Sequence, residues 1–169
     1  MKRQVSMMIT LLALIFSIGA LAQEKKPASP PAKAEGTIAG IKVTIDYSQP
    51  SAKGRKIMGA LVPYGKVWRT GANDVTAIEF NADAKIEGQA LPKGKYGLYT
   101  IPGENEWVIV FNKQATGSPY DYSEKQDALR VTVKPGKADA FVETFTIAVE
   151  KNSIVLTWEN TAVSFKVSK

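Results

Sequence analysis

In GKVWRTGAND, residues 65–74, Arg69 lies between Trp68 and a Thr-Gly pair, with Asn73 and Asp74 just beyond. A guanidinium can hold a carboxylate through two parallel hydrogen bonds, and its charge persists in a protein interior only when paired. Outside the first 22 residues only Arg55 and Arg130 offer the same group, and the chain has no histidine and no cysteine. Two readings of Arg69 follow. Paired with a carboxylate, of which Asp74 is the nearest in sequence, it pins a loop. Together with Arg55 and Arg130 it lines a pocket for an anion or a carbohydrate. Tyr64, Trp68, Tyr120 and Tyr122 stand beside polar neighbours and could present stacking surfaces to sugars or peptides. The opposing reading of an indole beside apolar Val67 is an anchor in the core. The candidate ligand-binding set is therefore Arg55, Tyr64, Trp68, Arg69, Asn73, Asp74, Tyr120 and Arg130.

Other chemistries fall away by inventory. Without histidine there is no Ser-His-Asp triad, and without cysteine no thiol nucleophile or thiolate metal site. A carboxylate-only site suits neither zinc nor copper. GALVPYGK resembles a phosphate loop but has five residues between its glycines where four are needed, and Val67 replaces the magnesium-binding hydroxyl. Asp121, Ser123, Lys125 and Asp127 alternate like a calcium loop, yet a lysine takes a ligand place and Thr132 replaces the closing glutamate. No metal, cofactor or catalytic residue is assigned. Paired carboxylates drawn from Asp74, Glu79, Asp83, Glu87, Glu104 and Glu106 leave a hydrolase open as an alternative.

The elements that must position these residues begin after a leader. Lys2 and Arg3 precede an apolar run from Met7 to Leu21, and Ala20-Leu21-Ala22 supplies a small-x-small cleavage pattern before Gln23. Residues 1–22 are read as a signal peptide, with export to the periplasm or beyond and no membrane span after cleavage. With no cysteine, lipid attachment at the new N-terminus is excluded. Residues 23–35, QEKKPASPPAKAE, have no apolar face and are read as a disordered tether. The chain after the leader has 20 basic and 16 acidic residues, a formal +4, scattered rather than gathered into the basic face that nucleic-acid binders show.

From Gly36 to Lys169 the periodicity is two. IKVTIDY, TAIEF, KIEG, KYGLYTI, EWVIVFNK, ALRVTV, FVETFTIAV, SIVLTW and AVSFKV read as about nine strands. LPKG, Pro135-Gly136 and Glu159-Asn160-Thr161 read as turns between them. Apolar residues on both faces put the KYGLYTI–EWVIVFNK hairpin in mid-sheet, under cover. The expected fold is all-β, a single two-sheet antiparallel β-sandwich over residues 36–169. Residues 48–74 are the exception, a long connection without clean alternation, of the kind that often carries function.

The set Tyr47-Ser48-Gln49-Pro50, Gly54-Arg55, LVPYGKVWRTGAN, LPKGKYGLYTIP, WVIVFNK and LRV resembles the secreted bacterial family called domain of unknown function 2911. The resemblance runs from Ile41 to Val167 and implies export and a β-rich domain, with no established activity. The loop QATGSPYDY, after Asn112-Lys113, lacks the tryptophan that many relatives carry there. The functional reading is an exported, non-catalytic module that binds a small ligand, glycan or envelope component through the 48–74 loop. The alternatives are a structural or assembly module of the envelope and a carboxylate-dependent hydrolase.

Overall fold

In IKVTIDY, Ile41, Val43, Ile45 and Tyr47 are buried while Lys42 and Asp46 face water, so alternation in sequence becomes two faces of a strand. A computed structural model describes residues 28–169. The expected signal peptide and the first part of the expected tether, residues 23–27, lie outside the described residues. Ten strands follow: β1 (Pro31–Ile38), β2 (Ile41–Ser48), β3 (Ala77–Phe80), β4 (Ala84–Ile86), β5 (Gln89–Leu91), β6 (Gly94–Ile101), β7 (Trp107–Asn112), β8 (Asp127–Val133), β9 (Gly136–Val149) and β10 (Ser153–Ser168).

The strands form two antiparallel sheets, β1-β2-β3-β6-β7-β8 and β5-β4-β10-β9, which pack face to face as an all-β sandwich. Leu98, Ile109, Phe111 and Val131 from the larger sheet meet Phe145, Leu156, Trp158 and Phe165 from the smaller one. β6 and β7 are central in the six-stranded sheet, as their two apolar faces require. The second face carries Val75, Tyr99 and Val110, with Tyr122 packed over them. Gly97 lets the 113–126 segment cross this face, because a Cβ there would lie 2.4 Å from the Gln114 carbonyl oxygen.

Four expectations are corrected. Residues 31–35, assigned to the tether, form the first five of the eight residues of β1 and pair with β2 from Pro31↔Ser48 to Glu35↔Thr44. Backbone pairing needs no apolar face, and a proline is tolerated at the start of an edge strand. Pro135-Gly136 is not the centre of a type II turn: Gly136 lacks the positive φ that turn needs and already begins β9, and β8 and β9 lie in different sheets, so the segment passes between layers. QAL, too short to show a period, is the additional strand β5.

The fourth correction concerns Glu159-Asn160-Thr161, which joins no separate strands but lies inside the continuous β10. Its register against β9 shifts on both sides of Glu159. The buried set is Ile154, Leu156 and Trp158 before the irregularity, and Val163, Phe165 and Val167 after it. An even-numbered face becomes an odd-numbered one. In a straight strand one half would turn to solvent; the irregularity at Glu159, where β9 carries the extra residues of the pairing, keeps both halves on the core.

Candidate functional site

The 48–74 connection closes the sandwich by pairing with both sheets. Ala52 N–H donates to the Glu143 carbonyl at 2.8 Å and Phe145 N–H to that of Pro50 at 2.9 Å, which ties its start to β9. Trp68 exchanges hydrogen bonds of 2.7 and 2.9 Å with Thr100 of β6, continuing the larger sheet where β3 has ended. Between these ties Ala52, Ile57, Met58 and Val62 are buried. Irregular backbone is stable here because its polar groups find partners and its apolar side chains find the core.

Trp68 organises this end of the core. Its ring stacks on Trp158 with centroids 5.8 Å apart and planes 21° from parallel, and meets Phe145 edge-on at 5.1 Å. The indole N–H donates to the Gly71 carbonyl at 3.0 Å, so the polar end is satisfied. Thr70 follows with φ 55°, an unusual conformation for a β-branched residue. Its hydroxyl reaches that of Thr100 at 3.2 Å, and its carbonyl accepts from Thr76 at 2.8 Å. Those bonds hold a backbone conformation that costs about 1–3 kcal/mol, a kind of strain that gathers at functional sites.

Arg69 and Arg55 meet in one cleft of about 290 Å³ beside Trp68 and Trp158, with Pro50, Leu61 and Val62 among its walls. Lys53 (φ 51°) and Gly54 (φ 70°) make a tight turn, closed by Arg55 N–H on the Ala52 carbonyl at 3.0 Å. The Arg55 side chain donates back from Nε to Ala52 O at 3.0 Å and from Nη2 to Ser51 O at 2.7 Å. Arg69 is half-buried, and its Nε is buried without any hydrogen-bond partner. The expected ion pair with Asp74 does not form: Asp74 is exposed, and the salt bridges of the described residues do not include Arg69. Positive φ at Thr70 and Asn73 turns the chain twice between the two residues. Among the described residues no carboxylate lines the cleft.

The other candidates lie elsewhere. Asn73 donates to the Ser29 carbonyl at 3.0 Å and to the Ser48 hydroxyl at 3.3 Å, fastening the start of the described chain to the loop. Tyr64 borders a separate hollow with Met58, Glu104 and Trp107. Tyr120 is 88 % exposed on the 113–126 segment. Arg130 does not share the Arg69 cleft. On the outer face of the larger sheet its Nε donates to Asp127 at 2.6 Å and its Nη2 to the Tyr122 hydroxyl at 2.7 Å, while Glu124 pairs with Nη1 at 3.1 Å. Tyr122 in turn donates to Asp127 at 2.9 Å. Burial, then the bond to Asp127, pushes the Tyr122 phenol up to about 12. Burial works against the Arg130 charge, but the bonds to Asp127 and Tyr122 raise its pKa above the ordinary value.

The family model described as protein of unknown function (DUF2911) matches residues 29–167. This chain belongs to that family. Neither a curated protein nor a solved structure matches it. The DUF2911 match takes in β1, consistent with a domain that starts before Gly36, and spans both sheets and the cleft.

The carboxylates proposed for hydrolysis include two that serve the backbone. Asp83 accepts from Lys93 N–H at 2.8 Å and Glu87 from Lys166 N–H at 2.5 Å. Among the described residues no group of acidic side chains is placed to hold a metal ion. Trp158 is the cleft residue that sequence reasoning missed. Its strand reads as ordinary core, and only the stacking on Trp68, 90 positions away, brings it to the site. The adjacent parity break is the one local signal.

Proposed function

We propose that this chain is an exported, non-catalytic module that holds a small ligand, a glycan or an envelope component in the cleft of Arg55, Trp68, Arg69 and Trp158. One observation carries the reading: a half-buried guanidinium whose Nε has no partner lines a cleft walled by aromatic side chains. A ligand that accepted from the terminal nitrogens of that guanidinium would give its charge the partner it lacks among the described residues. A thermal-shift screen of the full chain against glycans and peptidoglycan fragments tests this, since a bound molecule raises the melting temperature by mass action. A hit that vanishes in Arg69→Ala supports the cleft; hits indifferent to Arg69 move the site elsewhere.

The second reading is a structural module of the envelope, and the aromatic cluster around Trp68 favours it. It expects no ligand shift at all and loss of assembly when surface residues away from the cleft are changed. Export rests on the Ala20-Leu21-Ala22 pattern, and N-terminal sequencing of exported protein should begin at Gln23. Material that retains residues 1–22 would overturn that part of the proposal.

A further inference from the structure

We infer that the ligand of this cleft is an organic oxyanion, a compact molecule that carries a carboxylate or phosphate at one end and a weakly polar ring or chain at the other. The inference rests on the binding reading above and names the class of molecule. Two cations, Arg55 and Arg69, line one small space that contains no acidic side chain among the described residues. Arg55 spends Nε and Nη2 on the backbone carbonyls of Ala52 and Ser51, which fixes its guanidinium plane before any ligand arrives. Among the described residues Arg69 has no such bond, and its Nε is buried without a hydrogen-bond partner. A neutral ligand would leave both charges of the cleft without a counter-charge. A cationic one would add a third. An oxyanion offsets both charges and can accept from the terminal Nη groups of Arg69, and charge-assisted bonds of this kind are the strong ones.

The remaining walls decide what is attached to that anion. Pro50, Val62 and the two indoles offer apolar surface close to the guanidinium groups. A volume of about 290 Å³ falls at the lower limit for small-molecule sites, enough for one ring but not for a run of glycan residues. Inorganic anions would use the charge and ignore the walls. A monosaccharide-sized acid uses both.

Calorimetric titration of the full chain with glucuronate, glucose 6-phosphate, glucose and glucosamine tests the inference. Glucuronate or the sugar phosphate should bind and glucose should not, and the tighter of the two acids identifies the oxyanion. Binding should weaken with added salt, since part of it is Coulombic. Arg69→Gln and Arg55→Gln should each weaken it by about tenfold or more, the loss of one charge-assisted bond, while circular dichroism reports a folded protein. Arg69→Lys should bind less well than wild type, because an ammonium lacks the planar fork. Equal affinity for glucose and glucuronate, or preference for glucosamine, would sink the oxyanion while leaving a binding cleft in place. Failure of both glucuronate and glucose 6-phosphate to bind would overturn the inference, while the binding reading itself stands or falls on the thermal-shift screen.

Discussion

Trp68 and Arg69 are neighbours with opposite relations to the fold. Trp68 packs against Trp107, Phe145 and Trp158 and satisfies its own N–H, so Trp68→Ala leaves a cavity and should cost about 3–5 kcal/mol in urea denaturation. A carboxylate-paired Arg69 would cost as much to remove, because its partner would be stranded. No such partner exists among the described residues, and Arg69→Ala should change stability by no more than about 1 kcal/mol in either direction. A loss of several kcal/mol for Arg69→Ala would mean the guanidinium anchors the loop after all. Tyr122 supports a prediction in pH. Its phenol is pushed up to about 12 in the folded protein from its ordinary value of 10.0. A raised pKa means its contribution is complete below about pH 10 and is lost as pH climbs through about 12. Stability measured from pH 9 to pH 12 should therefore fall less in Tyr122→Phe than in wild type, and parallel curves would refute the assignment.

At the scale of elements, the irregularity in β10 has a second use. Glu159, at φ 50°, accepts from the N–H of fully buried Ile57 at 3.1 Å, linking the break in the strand to the middle of the 48–74 connection. Glu159→Ala removes the acceptor from a buried donor and should cost about 1–3 kcal/mol, whereas Glu159→Gln keeps an acceptor oxygen and should cost less. Equal losses would show that the charge, and not the hydrogen bond, is what matters. β1 gives a boundary test. A chain that starts at residue 36 forfeits the pairs from Pro31↔Ser48 to Glu35↔Thr44 and the Asn73 bond to Ser29. It should melt clearly below a chain that starts at residue 28. Identical melting temperatures would restore residues 31–35 to the tether.

Across the whole molecule, one long connection joins both sheets, at Ala52 to β9 and at Trp68 to β6. A loop tied at both ends and buried in between should behave as core in hydrogen exchange. The amides of Ala52, Val62 and Trp68 should exchange at rates like those of the central strands, and far more slowly than the solvent-facing segment around exposed Tyr120. Fast exchange at Ala52 and Trp68 would mean that the cleft opens, and that Arg69 is less shielded than its geometry implies.

The sequence by itself determined the all-β class, most of the strands and the central place of the β6–β7 hairpin. Period-two burial is written into consecutive residues such as Ile41, Val43 and Ile45, and needs no knowledge of what lies opposite. It also marked 48–74 as the segment apart and put Arg55, Trp68 and Arg69 among the candidates. Only the tertiary structure decided that Arg130 belongs to a separate network, that Asp74 faces solvent, and that Trp158 completes the cleft. It alone joined SIVLTW and AVSFKV into one strand and brought residues 31–35 into the sheet. The physical reason is common to all of these. Backbone pairing and side-chain partnership across tens of residues are set by where the two sheets meet, and local periodicity carries no information about that distance.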